Sequence, residues 1–94
     1  MPQAKSEIMV DDMRVIATKW TLPPGGETGQ HTHALDYVVV YLTEGVLTVL
    51  ADGEEIEAPV SKEMTTSRPA GISHNVLNRS TASIVFIEIE LKKP

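Results

Sequence analysis

Turn-forming residues cut this chain into pieces, and none of the pieces carries a helical pattern. Pro23-Pro24-Gly25-Gly26, Glu44-Gly45, Asp52-Gly53 and Ser67-Arg68-Pro69-Ala70-Gly71 divide it into short pieces. Clusters of Gly and Pro end regular structure, and Asp-Gly between apolar runs is a strong hairpin signal. No window of about 12 residues places apolar side chains at helical spacing between capping residues. The pieces themselves have strand chemistry. Tyr37 to Leu42, YVVVYL, is β-branched and aromatic throughout. Met13 to Leu22, Val46 to Ala51, Glu54 to Ala58, His74 to Asn78 and Ser83 to Leu91 read as further strands. Short strands between frequent turns predict an all-β sandwich or barrel. In the last strand Glu88 and Glu90 alternate with Ile87, Ile89 and Leu91, which predicts a solvated face over a buried one. The first five residues and Lys92-Lys93-Pro94 are expected to be frayed.

The chain has 94 residues, so a single domain over 1–94 is expected, its barrel covering about 13–91. Lys plus Arg is 8 and Asp plus Glu is 13, a net charge of −5 that repels phosphate backbones and argues against nucleic acid as a partner. The absence of cysteine excludes disulfides, thiolate metal sites and a cysteine nucleophile. No apolar run approaches the ~20 residues that span a membrane, and the start MPQAKSEIMV lacks a signal-peptide pattern. The cytoplasm is the expected location. A chain this small buries only about 60–65% of its unfolded surface. Together with the apolar strands YVVVYL and SIVFIEIEL, this predicts a homodimer.

The three histidines are His31, His33 and His74. Residues i and i+2 of an extended strand share a face, so His31 and His33 can grip one ion from one side of a sheet. His74 heads another strand candidate, which a barrel can bring opposite the pair. Imidazole suits zinc, copper, iron and nickel. Each imidazole must be neutral to ligate, and free histidine titrates near about 6.5, so metal affinity is expected to fall below about pH 6. Ser73 and Thr32 have no base at a diagnostic spacing, so no Ser-His-Asp arrangement is visible.

Around these histidines the chain reads Gly25-x5-His31-x-His33, then eleven residues to Gly45, and later Pro69-x-Gly71-x2-His74-x3-Asn78. The pair resembles the two signature motifs of the cupin superfamily, G-x5-H-x-H-x3,4-E-x6-G and G-x5-P-x-G-x2-H-x3-N. The likeness covers about Trp20 to Leu91. The run from DYVVV through HNV to VFIEIEL further resembles small single-domain cupins associated with β-alanine degradation. The resemblance implies a double-stranded β-helix, a small jelly-roll barrel. It also implies one divalent transition metal on His31, His33 and His74, with Fe, Zn, Ni and Mn left open.

Two positions depart from the family pattern. The motif glutamate falls on Val38, or on Tyr37 with the shorter spacing; the nearest carboxylate is Asp36. If Val38 holds that position, its side chain points at the metal and leaves a vacancy for water or an anionic substrate, with Asp36 not ligating. Three neutral imidazoles would leave the full 2+ charge, which favours small chelating anions. The second departure is Glu63, which replaces a turn glycine.

Tyr37 and Arg68 are the candidate catalytic residues. Trp20 is expected in the core or an interface, Gln30 and Glu27 in solvent, and Asn78 as a cap on the turn after its strand. The resulting expectation is a metal-binding cupin that acts on a small, anionic metabolite, with a three-histidine dioxygenase ahead of a zinc-type isomerase or hydrolase. A non-catalytic small-ligand binding module stands as the alternative.

Overall fold

A computed structural model describes residues 3–93. All regular structure in it is β: β1 (Lys5–Asp11), β2 (Val15–Leu22), β3 (His31–Thr32), β4 (Asp36–Tyr41), β5 (Gly45–Ala51), β6 (Glu54–Val60), β7 (Thr65–Arg68), β8 (Ser73–Leu77) and β9 (Ile84–Leu91). A five-stranded sheet, β1-β2-β9-β4-β7, stands against a four-stranded sheet, β3-β8-β5-β6, and every strand pair is antiparallel. This is the expected all-β jelly roll. No helix of the described residues is long and apolar enough to cross a membrane.

Leu22, Tyr37, Val39, Leu47, Val60, Val76, Ile84 and Phe86 form the core. They come from both sheets, as the period of two requires. Gly45, which closes the first motif, lies under Ile84. A Cβ there would meet the Ile84 side chain at 2.9 Å. The β5–β6 hairpin turns on Asp52 and Gly53, both with positive φ (53° and 74°), as the Asp-Gly signal predicts.

Three strands lie where the sequence did not place them. β7 occupies Thr65–Arg68, partly within the anticipated break, because its backbone pairs with β4 from Val40↔Thr65 to Tyr37↔Arg68. β3 is only two residues long, held by its pairing with β8. β1 is exposed along its whole length and rests on its ladder with β2, including a bulge between Ile8 and Val10. The chain ends are also better tied than expected. Gln3 bridges Glu27, Ala4 N donates to Glu27 O at 2.9 Å, and Lys92 N donates to Arg14 O at 2.8 Å. Met1, Pro2 and Pro94, included in the expected fraying, lie outside the described residues.

The last strand inverts the anticipated sense. Ile84 and Phe86 are core residues, and Glu88 follows in the same row, so the glutamate side faces the barrel. Ile87 and Ile89 fall on the outer face, beside Val40 and Val38 of β4. Alternation alone defines two faces; the packing of Ile84 and Phe86 decides which one is inside.

Asn78 is fully buried, and each polar atom of its amide is used. Nδ2 donates to Leu22 O and Ala82 O, both at 2.8 Å, and Oδ1 accepts from Ser80 N and Ser80 Oγ. The expected turn cap is thus also a clamp between the end of β2 and the turn before β9.

Glu63 has φ +69°, the left-handed region that an L side chain enters at a cost of about 1–2 kcal/mol. Glycine avoids that strain and gives back about 0.5–1 kcal/mol in chain entropy. Glu63→Gly is therefore expected to stabilise the protein by about 0.5–1 kcal/mol, read as a higher urea midpoint at unchanged slope. A lower midpoint would show that this turn is not strained.

Candidate metal centre

The register of two short strands brings the motifs together. His31 of β3 pairs directly with His74 of β8, and Thr32 pairs with Ser73. Just beyond β3, His33 N donates to Ile72 O at 2.9 Å and Gly71 N donates to His33 O at 2.8 Å. His74 is thus the cross-strand neighbour of His31 within one sheet, rather than a residue facing the pair from across the barrel. The adjacency follows from β-ladder geometry, which sets paired side chains about 4.5–5.5 Å apart.

The three Nε2 atoms converge. His31 Nε2 lies 3.0 Å from His33 Nε2, which lies 3.1 Å from His74 Nε2. The ring planes stand nearly perpendicular, at 71° to 87°. Each residue offers one nitrogen, and all three lie within 4.8 Å of one another. The His31 tautomer is fixed: its Nδ1 sits 2.7 Å from Gly29 O, a pure acceptor, so Nδ1 carries the proton and Nε2 presents its lone pair.

His33 is 5% exposed and stacks under Tyr37, with ring centroids 3.9 Å apart and planes at 22°. Burial lowers His33 to about 4, helped by His31 and His74. Burial, then His31, lowers His74 to about 4 as well. The fall in metal affinity anticipated from free histidine near pH 6 is therefore displaced at these two residues, which stay neutral until the pH approaches about 4.

A cavity of about 280 Å³ opens beside the cluster. His31 and His74 line it, with Trp20, Val39, Ile72 and Phe86 among its apolar walls and Tyr37, Tyr41, Arg68 and Glu88 among its polar groups. Both sequence candidates for catalysis, Tyr37 and Arg68, are thus in the pocket, and Trp20 contributes to its wall. Burial, then the charge of Glu88, pushes the Tyr37 phenol up to about 12, so it remains an O–H donor. Burial also raises Tyr41. Arg68, exposed at the end of β7, is the cation on the pocket lining.

The carboxylate positions need correction. Tyr37 and Val39 point inward on β4, so Val38 between them lies on the outer face and cannot present a side chain to the histidines. Tyr37 therefore stands where the motif glutamate was expected. Asp36 shares Val38's parity; its carboxylate accepts from Ala70 N at 2.8 Å and braces the turn before β8. Sequence reasoning missed Glu88. Its Oε2 lies 3.9 Å from His33 Nε2, its side chain is 13% exposed, and burial followed by Glu90 raises it to about 7. Alternation puts Glu88 in one row with Ile84 and Phe86, but no sequence signal says that this row faces inward; their packing into the core does.

The comparisons bear on the family and the fold. The family profile described as Cupin domain matches residues 18–90. The chain is 44% identical over 91 residues to the beta-alanine degradation protein BauB of Pseudomonas aeruginosa, covering 97% of this chain and 96% of that protein. A cupin domain crystal structure from Bordetella pertussis Tohama I superposes with a TM-score of 0.95 at 41% identity, covering 98% of this chain and 96% of that one. An RmlC-like cupin family protein with a double-stranded β-helix fold from Methanocaldococcus jannaschii superposes at 0.79 with 15% identity, covering 94% and 79%, a likeness of fold alone. The chain belongs to the cupin family, and its fold is the double-stranded β-helix.

The lowered histidines fix a pH trend for the metal-free protein. Between about pH 6.5 and 4 the unfolded chain binds more protons at His33 and His74 than the folded one, so stability falls as pH falls. Glu88, raised from 4.5 to about 7, binds more protons when folded and opposes this, one group against two. The urea midpoint of chelator-treated protein is expected to drop from pH 6.5 to pH 4.5. A midpoint that rises over this range would contradict the assigned burial of the histidines.

Proposed function

We propose that this cupin holds one divalent transition metal on His31, His33 and His74 and acts on a small, anionic metabolite bound in the adjoining cavity. The observation that carries this reading is the convergence of the three Nε2 atoms at 3.0 and 3.1 Å. That separation is the edge between ligands at about 90° with metal–nitrogen bonds of about 2.1–2.2 Å, and is shorter than the edge of about 3.3 Å in a tetrahedral zinc site. Three lone pairs aimed at one point repel one another unless a cation occupies it. The donor set, neutral imidazole nitrogen, suits zinc, copper, iron or nickel; of the metals that the resemblance left open, manganese is the one it suits least.

Such an ion, when bound, supplies Lewis acidity and, as iron, access to oxygen chemistry. The chain's own groups supply the rest. The apolar walls limit water around the ligand. The Tyr37 phenol keeps its proton and donates a hydrogen bond to a ligand oxygen. Arg68 provides counter-charge for an incoming carboxylate at the pocket lining. The name of the Pseudomonas relative ties that protein to beta-alanine degradation. It supports, for this chain, a small carboxylate as the ligand; the dioxygenase or isomerase activity of this reading rests on the three-histidine donor set instead. No nucleic-acid partner belongs to this reading, which the net charge of −5 supports.

Protein purified without chelator is expected to hold one equivalent of metal per chain, and the His31→Ala/His74→Ala double variant to hold none. Wild-type metal content in that variant would refute the assignment.

The reading includes a homodimer. Val38, Val40, Ile87 and Ile89 form a contiguous apolar group on the outer face of the five-stranded sheet, two cross-strand pairs side by side. Half-buried by their neighbours alone, they gain from a second copy. Ile89→Lys is expected to shift the protein from dimer to monomer in sedimentation equilibrium. A wild-type protein that sediments as a monomer at micromolar concentration would remove the dimer.

A further inference from the structure

We propose that Glu88 supplies the carboxylate missing from the first motif, ligating the same metal ion from β9 instead of β4. The proposal rests on the three-histidine reading above and deepens it. Its ground is geometric. Tyr37 fills the motif position and stacks on His33, while Val38 and Asp36 point elsewhere. Among the carboxylates, Glu88 is the one that both lines the cavity and approaches a histidine of the cluster. β9 lies next to β4, with Glu88 directly opposite Val39. A carboxylate moved from β4 to its neighbour in the ladder still faces the same cavity.

The position would otherwise be unfavourable. The Glu88 side chain is 13% exposed, and among the described residues no lysine or arginine pairs with it. A desolvated carboxylate is unfavourable without a counter-charge. The polar group near it is the His33 ring, whose Nε2 lies 3.9 Å from Oε2. A divalent ion at the Nε2 cluster provides the missing positive charge. The Oε2–Nε2 separation of 3.9 Å exceeds the 3.0 Å between His31 and His33 by 0.9 Å. Glutamate has three side-chain torsions, enough to close that gap. With Glu88 bound, the site's net charge becomes 1+ rather than the 2+ of three histidines alone. The preference for anionic ligands then rests more on Arg68 and less on the ion.

Cobalt(II) serves as the probe, because its visible absorption reports the ligand set independently of turnover. Glu88→Gln is expected to weaken Co2+ binding at least tenfold, about the size of effect that loss of a supporting group has at metal sites, and to change the absorption envelope. Glu90→Gln removes the same charge two residues away, and is expected to leave affinity within twofold and the spectrum unchanged. Glu88→Gln with wild-type affinity and spectrum would overturn the proposal while leaving the histidine site standing. Wild-type protein that binds no Co2+ would overturn the metal reading itself, and this proposal with it. If Glu88→Gln does not fold, Glu88→Asp carries the test. It keeps the charge but withdraws it by one methylene, so affinity should fall several-fold; an unchanged affinity overturns direct ligation.

Discussion

The site depends on four strand residues, His31 and Thr32 against Ser73 and His74, and on the two backbone bonds that extend this pairing to His33. β3 is too short to persist alone, since a two-residue strand has almost no ladder of its own. It is fixed because each end is tied elsewhere. Gly29 N donates to Asn75 Oδ1, Thr28 N donates to Val76 O, and Gly71 N donates to His33 O. These bonds place three imidazoles from distant parts of the sequence at one point. They also explain why the second motif is rigid. Asn78, buried at its far end, anchors the strand that carries His74.

Burial then sets the protonation states around that point. His33 and His74 are held neutral, and Tyr37 keeps its proton. Glu88 is pushed toward neutrality. All of these shifts have desolvation as their largest cause, so they arise from one low-dielectric environment. That environment favours imidazole as ligand and phenol as donor, and makes an unpaired carboxylate costly. The apolar outer face of the same sheet belongs to this arrangement. β4 and β9 have apolar residues on both faces, and only the inner face is covered within one chain.

Much of this was legible in the sequence. Frequent Gly and Pro breaks excluded helices, and six strands fell close to where β-branched runs lie. The Asp52-Gly53 turn followed from residue type, while the turn at Glu63 and the grouping of His31, His33 and His74 followed from the resemblance to the cupin motifs. β1 and β7 were missed because neither shows period-two alternation: the apolar residues of β1 are the consecutive Ile8, Met9 and Val10, and β7 has none; both are strands through pairing with β2 and β4.

What the sequence alone determined was which residues alternate, where the chain turns and which nitrogens are available to a metal. The tertiary structure decided which side of each strand is inside. Period-two alternation is symmetric with respect to its faces, so YVVVYL and SIVFIEIEL leave that choice open. In β9 it is made by Ile84 and Phe86 packing into the core, which carries Glu88 inward with them. In β4 it is made by Tyr37 and Val39, which turns Val38 and Asp36 away from the histidines.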